Sequence, residues 1–183
     1  MEGPLIIPVC DGVYLKQMEE CDATDIFLTI DSQRSYLGVW LPFVEFTKKQ
    51  ADSLEFIRLT NSNPIETREY TFVIHSGGKF AGLIGFKSSD KSNKRTEIGY
   101  WLSEPFQGKG IMTRSVKTLM KFAFQDLGMH RIQIKCATGN QKSRNIPEKI
   151  GYKLEGTERD GELLTGGIFT DIAVYSFLSD DTY

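Results

Sequence analysis

The stretch that decides the fold of this chain is Gln107-Gly108-Lys109-Gly110-Ile111-Met112-Thr113. Glycines let a backbone turn tightly with its amide groups pointing inward, and the first amides of a helix have no partner within the helix. The helix dipole favours an anion at the same end by roughly 0.3 to 1 kcal/mol, so such a turn binds phosphate. The stretch therefore predicts an anion site, although a plain turn before a helix would use glycines in the same way.

An amphipathic helix follows the turn, and a strand follows the helix. Apolar residues recur at intervals of three and four, at Met112, Val116, Leu119, Met120, Ala123 and Leu127. Gly128 stands where a left-handed residue ends a helix. Residues 130–137 then alternate between apolar and polar, which is typical of a half-buried strand with Cys136 on its inner face.

The remaining sequence predicts one α+β domain over residues 1–183. Strands are predicted near 13–17, 70–75, 80–87, 97–102, 130–137, 152–158 and 170–177. Helices are predicted at about 22–30, 47–59, 112–127 and 143–150. Asp22 is expected to cap the first helix, and a capping box at residues 47–50 to open the second. An irregular aromatic segment, 36–46, separates these two helices. Neither a repeat nor a linker divides the chain, and 183 residues suit one hydrophobic core.

Charge and cysteine content disfavour several classes of protein. The 22 Lys and Arg against 24 Asp and Glu give a formal charge of −2, without the basic surplus of a nucleic-acid binder. Cys10, Cys21 and Cys136 form no CxxC or Cys/His cluster, so neither a disulfide framework nor a metal site is predicted. Residues 1–9 lack the pattern of a signal peptide, and no apolar run is long enough for a membrane span. We therefore expect a soluble cytoplasmic protein with no membrane or nucleic-acid partner.

Two other phosphate-binding turns fail on details of the sequence. A dinucleotide fold requires GxGxxG, but Thr113 stands three residues after Gly110. The next strand ends in Cys136-Ala137-Thr138, without the acidic residue that holds a ribose. A P-loop requires GxxxxGK followed by Ser or Thr, which this chain lacks.

Three motifs in order resemble those of GNAT acetyltransferases, especially the RimJ/RimL-type branch that acetylates ribosomal proteins. They are Glu97-Ile98-Gly99-Tyr100-Trp101-Leu102, Gln107-x-x-Gly110, and Asn140-x-x-Ser143 followed by Glu148-Lys149-Ile150-Gly151-Tyr152. The resemblance covers essentially the whole chain. It implies the GNAT fold, an α/β/α sandwich in which helices flank a twisted mixed sheet of about seven strands. It also implies acetyl-CoA as co-substrate and no metal.

The resemblance assigns a cofactor site to the chain. Backbone amides of the turn would hold the pyrophosphate of coenzyme A, at Gln107, Gly108, Lys109, Gly110, Ile111, Met112 and Thr113. Met112 stands where the family has Gly or Ala, so its side chain is expected to point into the core. The strand around Gly99 is expected to bulge and to splay from the strand at 130–137, which opens a slot for the pantetheine arm. Contacts to the arm are expected from the backbone of Ile98, Tyr100 and Leu102 and from the side chain of Asn140.

Proton transfer would fall to a few polar residues. The resemblance puts Ser143 near the sulfur as proton donor to the thiolate, but this serine equally fits as N-cap of the last helix, with Pro147 in its first turn. The base would be Glu97, directly or through water, or Glu162 in the glycine-rich loop before the final strand; each also fits an ordinary solvated acid. Because Cys136 points into the core, direct transfer without a covalent intermediate is expected.

The acceptor is the part of the reaction that the sequence determines least. The segment with Tyr36 and Trp40 resembles the part of RimJ/RimL-type enzymes that lines the acceptor groove, although it is also good core material. A protein N-terminus, such as that of a ribosomal protein, is the expected acceptor. A polyamine or aminoglycoside acceptor and a non-catalytic acyl-CoA-binding module are the alternatives. His75 and His130 match no family motif and are expected to be structural. The sequence does not determine the oligomeric state, but exposed strand edges would allow a homo-oligomer.

Overall fold

A computed structural model of the chain describes residues 3–62 and 69–182. Its strands are β1 (Ile6–Cys10), β2 (Val13–Gln17), β3 (Thr71–Ser76), β4 (Lys79–Asp90), β5 (Arg95–Leu102), β6 (Arg131–Ala137), β7 (Lys153–Leu164) and β8 (Ile168–Leu178). They form one sheet in the order β1-β2-β3-β4-β5-β6-β8-β7. The pair β5–β6 is parallel, and every other neighbouring pair in the described chain is antiparallel. The predicted mixed sheet is confirmed.

The eighth strand, β1, is the difference from the prediction of about seven. It pairs with β2 at the edge of the sheet. Its residues are exposed or half-buried in alternation, so no buried apolar face marks it. Pro8 lies in its middle, and an edge strand tolerates proline because one row of its backbone groups faces solvent.

Helices cover both faces of the sheet, as the predicted sandwich requires. They are α1 (Ala23–Ser32), α2 (Arg34–Leu37), α3 (Phe43–Phe46), α4 (Gln50–Asn61), α5 (Ile111–Gln125) and α6 (Gln141–Ile150), with 3₁₀ turns at Glu20–Asp22 and Glu104–Phe106. One core packs α5 and the end of α6 against Phe72 and Ile74 of β3. The other packs α1 and α4 against Val73. Because Val73 lies between Phe72 and Ile74 in the strand, its side chain points to the opposite face of the sheet. None of the described helices is long and apolar enough to cross a membrane.

The predicted stripe of α5 is the centre of the larger core. Val116, Leu119, Met120 and Ala123 are fully buried, and full burial of a side chain of the size of Val, Leu or Met is worth about 1.5 to 3 kcal/mol. Met112 is also buried there, so the prediction that its side chain points away from the turn is confirmed. The first turn of α5 is thereby fixed to the sheet.

The predicted starts of the first two helices were wrong in detail. The carboxylate of Asp22 does not cap α1; it accepts the Glu19 backbone N–H at 2.8 Å and pairs with Lys16 at 2.9 Å. At α4 the acceptor of the backbone N–H groups is Asp52, which takes those of Lys48 and Lys49 at 2.8 and 2.9 Å. A carboxylate can accept several N–H groups at once. Asp52 therefore bonds the backbone at the start of α4, where a capping box formed by residues 47–50 was predicted. The segment 36–46 contains the end of α2 and the whole of α3.

The sheet opens in its middle, between β5 and β6. Their ladder contains three residue pairs and ends at Glu97 opposite Gln133. Beyond that point β5 stays with β4 as far as Leu102, and β6 stays with β8 as far as Ala137. The predicted splay is therefore confirmed. We call the space between residues 98–102 and 134–137 the opening.

The bulge predicted at Gly99 was wrong. Gly99 pairs in register with Gly85, and the irregularity between β4 and β5 falls between Lys87 and Asp90. Ser88 has a φ of 54° there, so the distortion lies near the end of β4, away from Gly99. The opening is thus formed by divergence of two regular strands.

Candidate active site

The glycine turn lies at the end of the opening, between β5 and α5. Gly108 and Gly110 have φ values of 72° and 70°, a conformation that favours glycine. The first helical hydrogen bond of α5 runs from the Arg114 N–H to the Gly110 carbonyl at 3.1 Å. The amides of residues 111–113 precede it and have no partner in the helix. The local geometry would suit an anion.

Two basic side chains flank this turn. The Lys109 ammonium donates to the Pro105 carbonyl at 2.9 Å and lies 5.6 Å from the Phe106 ring centroid. Arg114 donates to the Lys109 carbonyl at 2.9 Å and to Cys10 Sγ at 3.2 Å. A methyl group on Gly110 would lie 2.8 Å from the Arg114 Nη1 atom, so the guanidinium covers the turn.

Arg114 is a candidate that the sequence analysis missed. Its position four residues after Gly110, one helical turn on, is a signal that could have found it. Its partner Cys10 belongs to β1, the strand that was not predicted. The same arginine lines a cavity of about 330 Å³ together with Val9, Lys117, Thr118 and Lys121.

Gln107 links three elements around the opening. Its amide nitrogen donates to the hydroxyl of Tyr36, and its amide oxygen accepts Lys142 Nζ of α6 at 3.1 Å. The Tyr36 hydroxyl in turn donates to the carbonyl of Leu102, at the end of β5, at 3.2 Å. Burial raises the pKa of Tyr36, so this phenol keeps its proton.

Three side chains from β5, β6 and α6 meet in a second group, which we call the hydroxyl–thiol cluster: Tyr100, Cys136 and Ser143. Ser143 Oγ lies 3.2 Å from Cys136 Sγ and 3.4 Å from the Tyr100 hydroxyl. The Tyr100 hydroxyl donates to the backbone carbonyl of Ser143 at 3.1 Å. Burial raises the pKa of both Tyr100 and Cys136. The cluster is therefore protonated at neutral pH.

The structure decides which residue caps α6. Asn140 is the N-cap, and its side-chain oxygen accepts the Ser143 N–H at 3.1 Å. Ser143 lies in the first turn with its hydroxyl in the cluster, so the capping alternative for this serine was wrong. Pro147 consequently lies in the interior of the helix rather than in its first turn.

The position assigned to Cys136 needs correction. Its thiol is buried, as alternation predicted, with 5% of the residue exposed. However, the inner face of β6 is also the face on which Ser143 and Tyr100 lie, so a cysteine does border the predicted site. A buried thiol with a raised pKa is a weak nucleophile, because the thiolate is the reactive form.

The two predicted bases lie in different surroundings. Glu97 is buried on β5, where its carboxylate pairs with Lys87 at 2.8 Å and accepts Gln133 Nε2 at 3.2 Å. It is three residues from Tyr100 along the strand, so the two side chains point to opposite faces of the sheet. Glu162 lies in β7 rather than in a loop; it pairs with Thr170 and is exposed.

The acceptor segment reaches the end of β6. A methyl group on Gly139 would lie 3.1 Å from the Trp40 ring, so the half-exposed indole lies against the residues that follow the strand. The histidines lie elsewhere: His75 stacks on Tyr14 at 4.8 Å with a pKa lowered by burial, and His130 contacts Ser179 at 2.8 Å. Trp40, in contrast, lies beside the end of β6, which borders the opening.

A family model described as "Acetyltransferase (GNAT) domain" matches residues 13–153, which contain the turn, the opening and the cluster. This chain belongs to the GNAT acetyltransferase family. It is thus a GNAT-type N-acetyltransferase, and its relatives support the RimJ/RimL-type branch.

Curated relatives match almost the whole chain. A putative ribosomal N-acetyltransferase of Bacillus subtilis is 35% identical in an alignment of 176 residues that covers 93% of this chain and 93% of that protein. The ribosomal-protein-serine acetyltransferase of Escherichia coli is 26% identical and covers 95% of this chain and 97% of its own length. The spermidine N(1)-acetyltransferase of the same species is 25% identical over 150 residues, 82% of this chain and 77% of its own.

Solved structures show the same fold. RimL, a ribosomal L7/L12 α-N-protein acetyltransferase solved with coenzyme A in disulfide linkage to a cysteine, superposes with a TM-score of 0.90 at 26% identity, covering 95% of this chain and 98% of its own. The microcin C7 self-immunity acetyltransferase, in complex with acetyl-CoA and AMP, gives a TM-score of 0.87 at 30% identity, covering 93% and 94%.

Proposed function

We propose that this GNAT acetyltransferase transfers the acetyl group of acetyl-CoA directly to the α-amino group of a protein N-terminus, with a ribosomal protein as the acceptor. The observation that carries the proposal is the opening in the sheet, with an anion-binding turn at one end and a protonated hydroxyl at its side. A cytoplasmic location agrees with such an acceptor.

The chain offers complementary groups to the pyrophosphate and to the pantetheine arm of acetyl-CoA. Amides of the turn at residues 107–113 would hold the pyrophosphate, with Arg114 as an added positive charge. The backbone of Ile98, Tyr100 and Leu102 borders the opening, where the pantetheine arm would pair as a strand does. The basic row of Arg114, Lys117 and Lys121 would attract a polyanionic cofactor over a longer range.

Ser143 is the proposed proton donor. As the amine nitrogen forms its bond to the acetyl carbon, the carbon–sulfur bond breaks and the thiolate of coenzyme A takes the Ser143 hydroxyl proton. The proton lost by the attacking nitrogen passes to Glu97, directly or through water. Glu97 then releases this proton to solvent, and solvent returns a proton to the serine. Glu162, exposed on β7, is the alternative base.

Direct transfer is favoured over an acetylated enzyme. Cys136, the cysteine of the hydroxyl–thiol cluster, has a pKa raised by burial and keeps its proton at neutral pH. A neutral α-amine is the better nucleophile there, since its unperturbed pKa is only about 7.7 to 8.0.

Two observations support a protein N-terminus as the acceptor. The relatives named above as ribosomal acetyltransferases match nearly the full chain, at 35% and 26% identity. In addition, Trp40 lies half-exposed against Gly139 and offers an apolar wall to a peptide main chain.

Product mass spectrometry tests the proposal. The protein and acetyl-CoA are incubated with peptides that copy ribosomal-protein N-termini, with the same peptides blocked at the α-amine, with spermidine, or with no acceptor. We expect one added acetyl group on the free α-amine and none on the blocked peptides. Turnover of spermidine alone would assign the chain to polyamine acetylation. Coenzyme A binding without turnover on any amine would assign it to acyl-CoA binding.

A further inference from the structure

Helix α6 carries a proline in its interior, four residues after the serine of the site. In an α-helix the N–H of residue i+4 bonds to the carbonyl of residue i. Pro147 has no N–H, so the carbonyl of Ser143 lacks this helical partner. Pro147 is buried and its helix packs against the main core, so the proline is not a feature of a loose end.

Tyr100 takes up the carbonyl that the proline leaves free. Its hydroxyl donates to the Ser143 carbonyl at 3.1 Å, from strand β5 across the opening. A phenol has one hydrogen, so toward any further partner its oxygen acts as acceptor. The hydroxyl of Ser143, at 3.4 Å, is that partner. Tyr100 thus contacts the same residue at its backbone and at its side chain.

We propose that Tyr100 and Pro147 together form a positioning device for Ser143: the missing N–H commits the phenol hydrogen to the backbone, and the phenol oxygen then orients the serine hydroxyl. Neither residue exchanges a proton with the substrate. The proposal deepens the proposed function and rests on Ser143 as the proton donor.

The device sets the direction of the serine proton. Around Ser143 Oγ the described neighbours are the phenol oxygen at 3.4 Å and Cys136 Sγ at 3.2 Å. The serine has one hydrogen, and either neighbour accepts it only weakly or at long range. The serine proton is therefore held without a strong acceptor until a thiolate forms nearby. Tyr100 thus fixes the position of Ser143 relative to strand β5, in addition to the contacts within α6.

Four variants separate positioning from simple support of the fold. Tyr100→Phe removes the donor, Pro147→Ala returns the N–H, and the double variant combines the two changes. Tyr175→Phe is the matched control, because the Tyr175 hydroxyl also contacts α6, at Glu148 and Arg144, but not Ser143. For each variant kcat, the KM for acetyl-CoA and the midpoint of urea unfolding are measured.

We expect kcat to fall about tenfold or more in Tyr100→Phe, while the KM for acetyl-CoA changes less than about threefold, since small misplacements of a reacting group slow chemistry strongly. The unfolding midpoint of Tyr100→Phe should fall, because the serine carbonyl loses its partner. In the double variant the new N–H restores the midpoint but leaves kcat low. Pro147→Ala alone should be more stable and slower, and Tyr175→Phe should keep its kcat.

Recovery of kcat together with stability in the double variant would overturn the proposal, as would an equal loss of kcat in Tyr175→Phe or an unchanged kcat in Pro147→Ala. A final comparison tests dependence on the serine. In a Ser143→Ala background, Tyr100→Phe should change kcat by less than about twofold. If Ser143→Ala itself has normal kcat, the assignment of the serine as donor and the positioning device both fail, while the acceptor proposal is decided by product mass spectrometry. If Ser143→Ala is slow while Tyr100→Phe is normal, the positioning device alone fails.

Discussion

Asn140 and Ser143 are three residues apart, but we predict that replacing the first lowers stability and that replacing the second lowers turnover. Asn140→Ala removes the oxygen that accepts the Ser143 N–H at 3.1 Å, and loss of an N-cap costs about 1 kcal/mol of unfolding free energy, within a range of 0.5 to 2. Ser143→Ala removes two weak side-chain contacts, at 3.2 and 3.4 Å, and gains helix propensity of roughly 0.5 kcal/mol. Its stability should change little.

Turnover should show the opposite order. A positioned acid contributes roughly 10²- to 10⁴-fold, so Ser143→Ala should lower kcat at least about a hundredfold, which is ~2.7 kcal/mol of barrier. Asn140→Asp keeps an oxygen at the N-cap and places a negative charge at the helix N-terminus, so its stability should match the parent chain. It loses the amide donor expected to hold the pantetheine arm, and its KM for acetyl-CoA should rise.

The assays are urea unfolding and turnover at saturating acetyl-CoA, both on purified variants. Comparable m-values confirm that each variant unfolds from the same fold. A stable Ser143→Ala protein with near-normal kcat would refute the assignment of the serine. A large stability loss in Ser143→Ala with none in Asn140→Ala would refute the assignment of the cap.

Three further outcomes are expected. Coenzyme A at a hundredfold excess over its dissociation constant should raise stability by about 2.7 kcal/mol, whereas NADH should not; equal melting shifts would contradict the cofactor assignment. The hydrogen bond from Arg131 lowers the pKa of Glu155, so the pair stabilises the fold fully above the usual pKa of the acid, and this contribution is lost as pH falls through the folded-state pKa. Between pH 7 and pH 3 the free energy of unfolding should therefore fall less steeply in Glu155→Gln than in the parent chain. Gly85→Ala would place a methyl 2.8 Å from the Tyr70 carbonyl and should cost about 1 to 3 kcal/mol, whereas Gly99→Ala meets its nearest atom at 3.5 Å and should be nearly neutral in urea unfolding.

Periodic signals determined which parts of the fold were predictable. The stripe of α5 recurs with the period of a helix over four turns, so its buried face could be assigned without tertiary information. Strand β1 gives no such signal, because it is an edge strand with two half-exposed faces and a proline. Asn140 and Ser143 are both good caps, and only the backbone conformation at residue 140 distinguishes them.

Contacts between distant elements limited the prediction of the site. A tyrosine on a strand is typical core material, and nothing local to Tyr100 indicates that its hydroxyl reaches Ser143, 43 positions later. Arg114 depends in the same way on Cys10, 104 positions earlier. Backbone features such as the turn at Gly108 and Gly110 were predictable, since positive φ values restrict the residue type directly.

The interrupted ladder between β5 and β6 has a consequence for the order in which substrates bind. Two half-sheets, β1–β5 and β6–β8, meet at three residue pairs. A small change in the angle between the half-sheets would therefore displace Leu102 and Ala137, at the far ends of β5 and β6, more than the residues near the three pairs. A pantetheine arm paired along β5 would supply the missing hydrogen bonds and stiffen the wall near Trp40. Acetyl-CoA would then bind first, and the acceptor would meet a surface that the cofactor has completed.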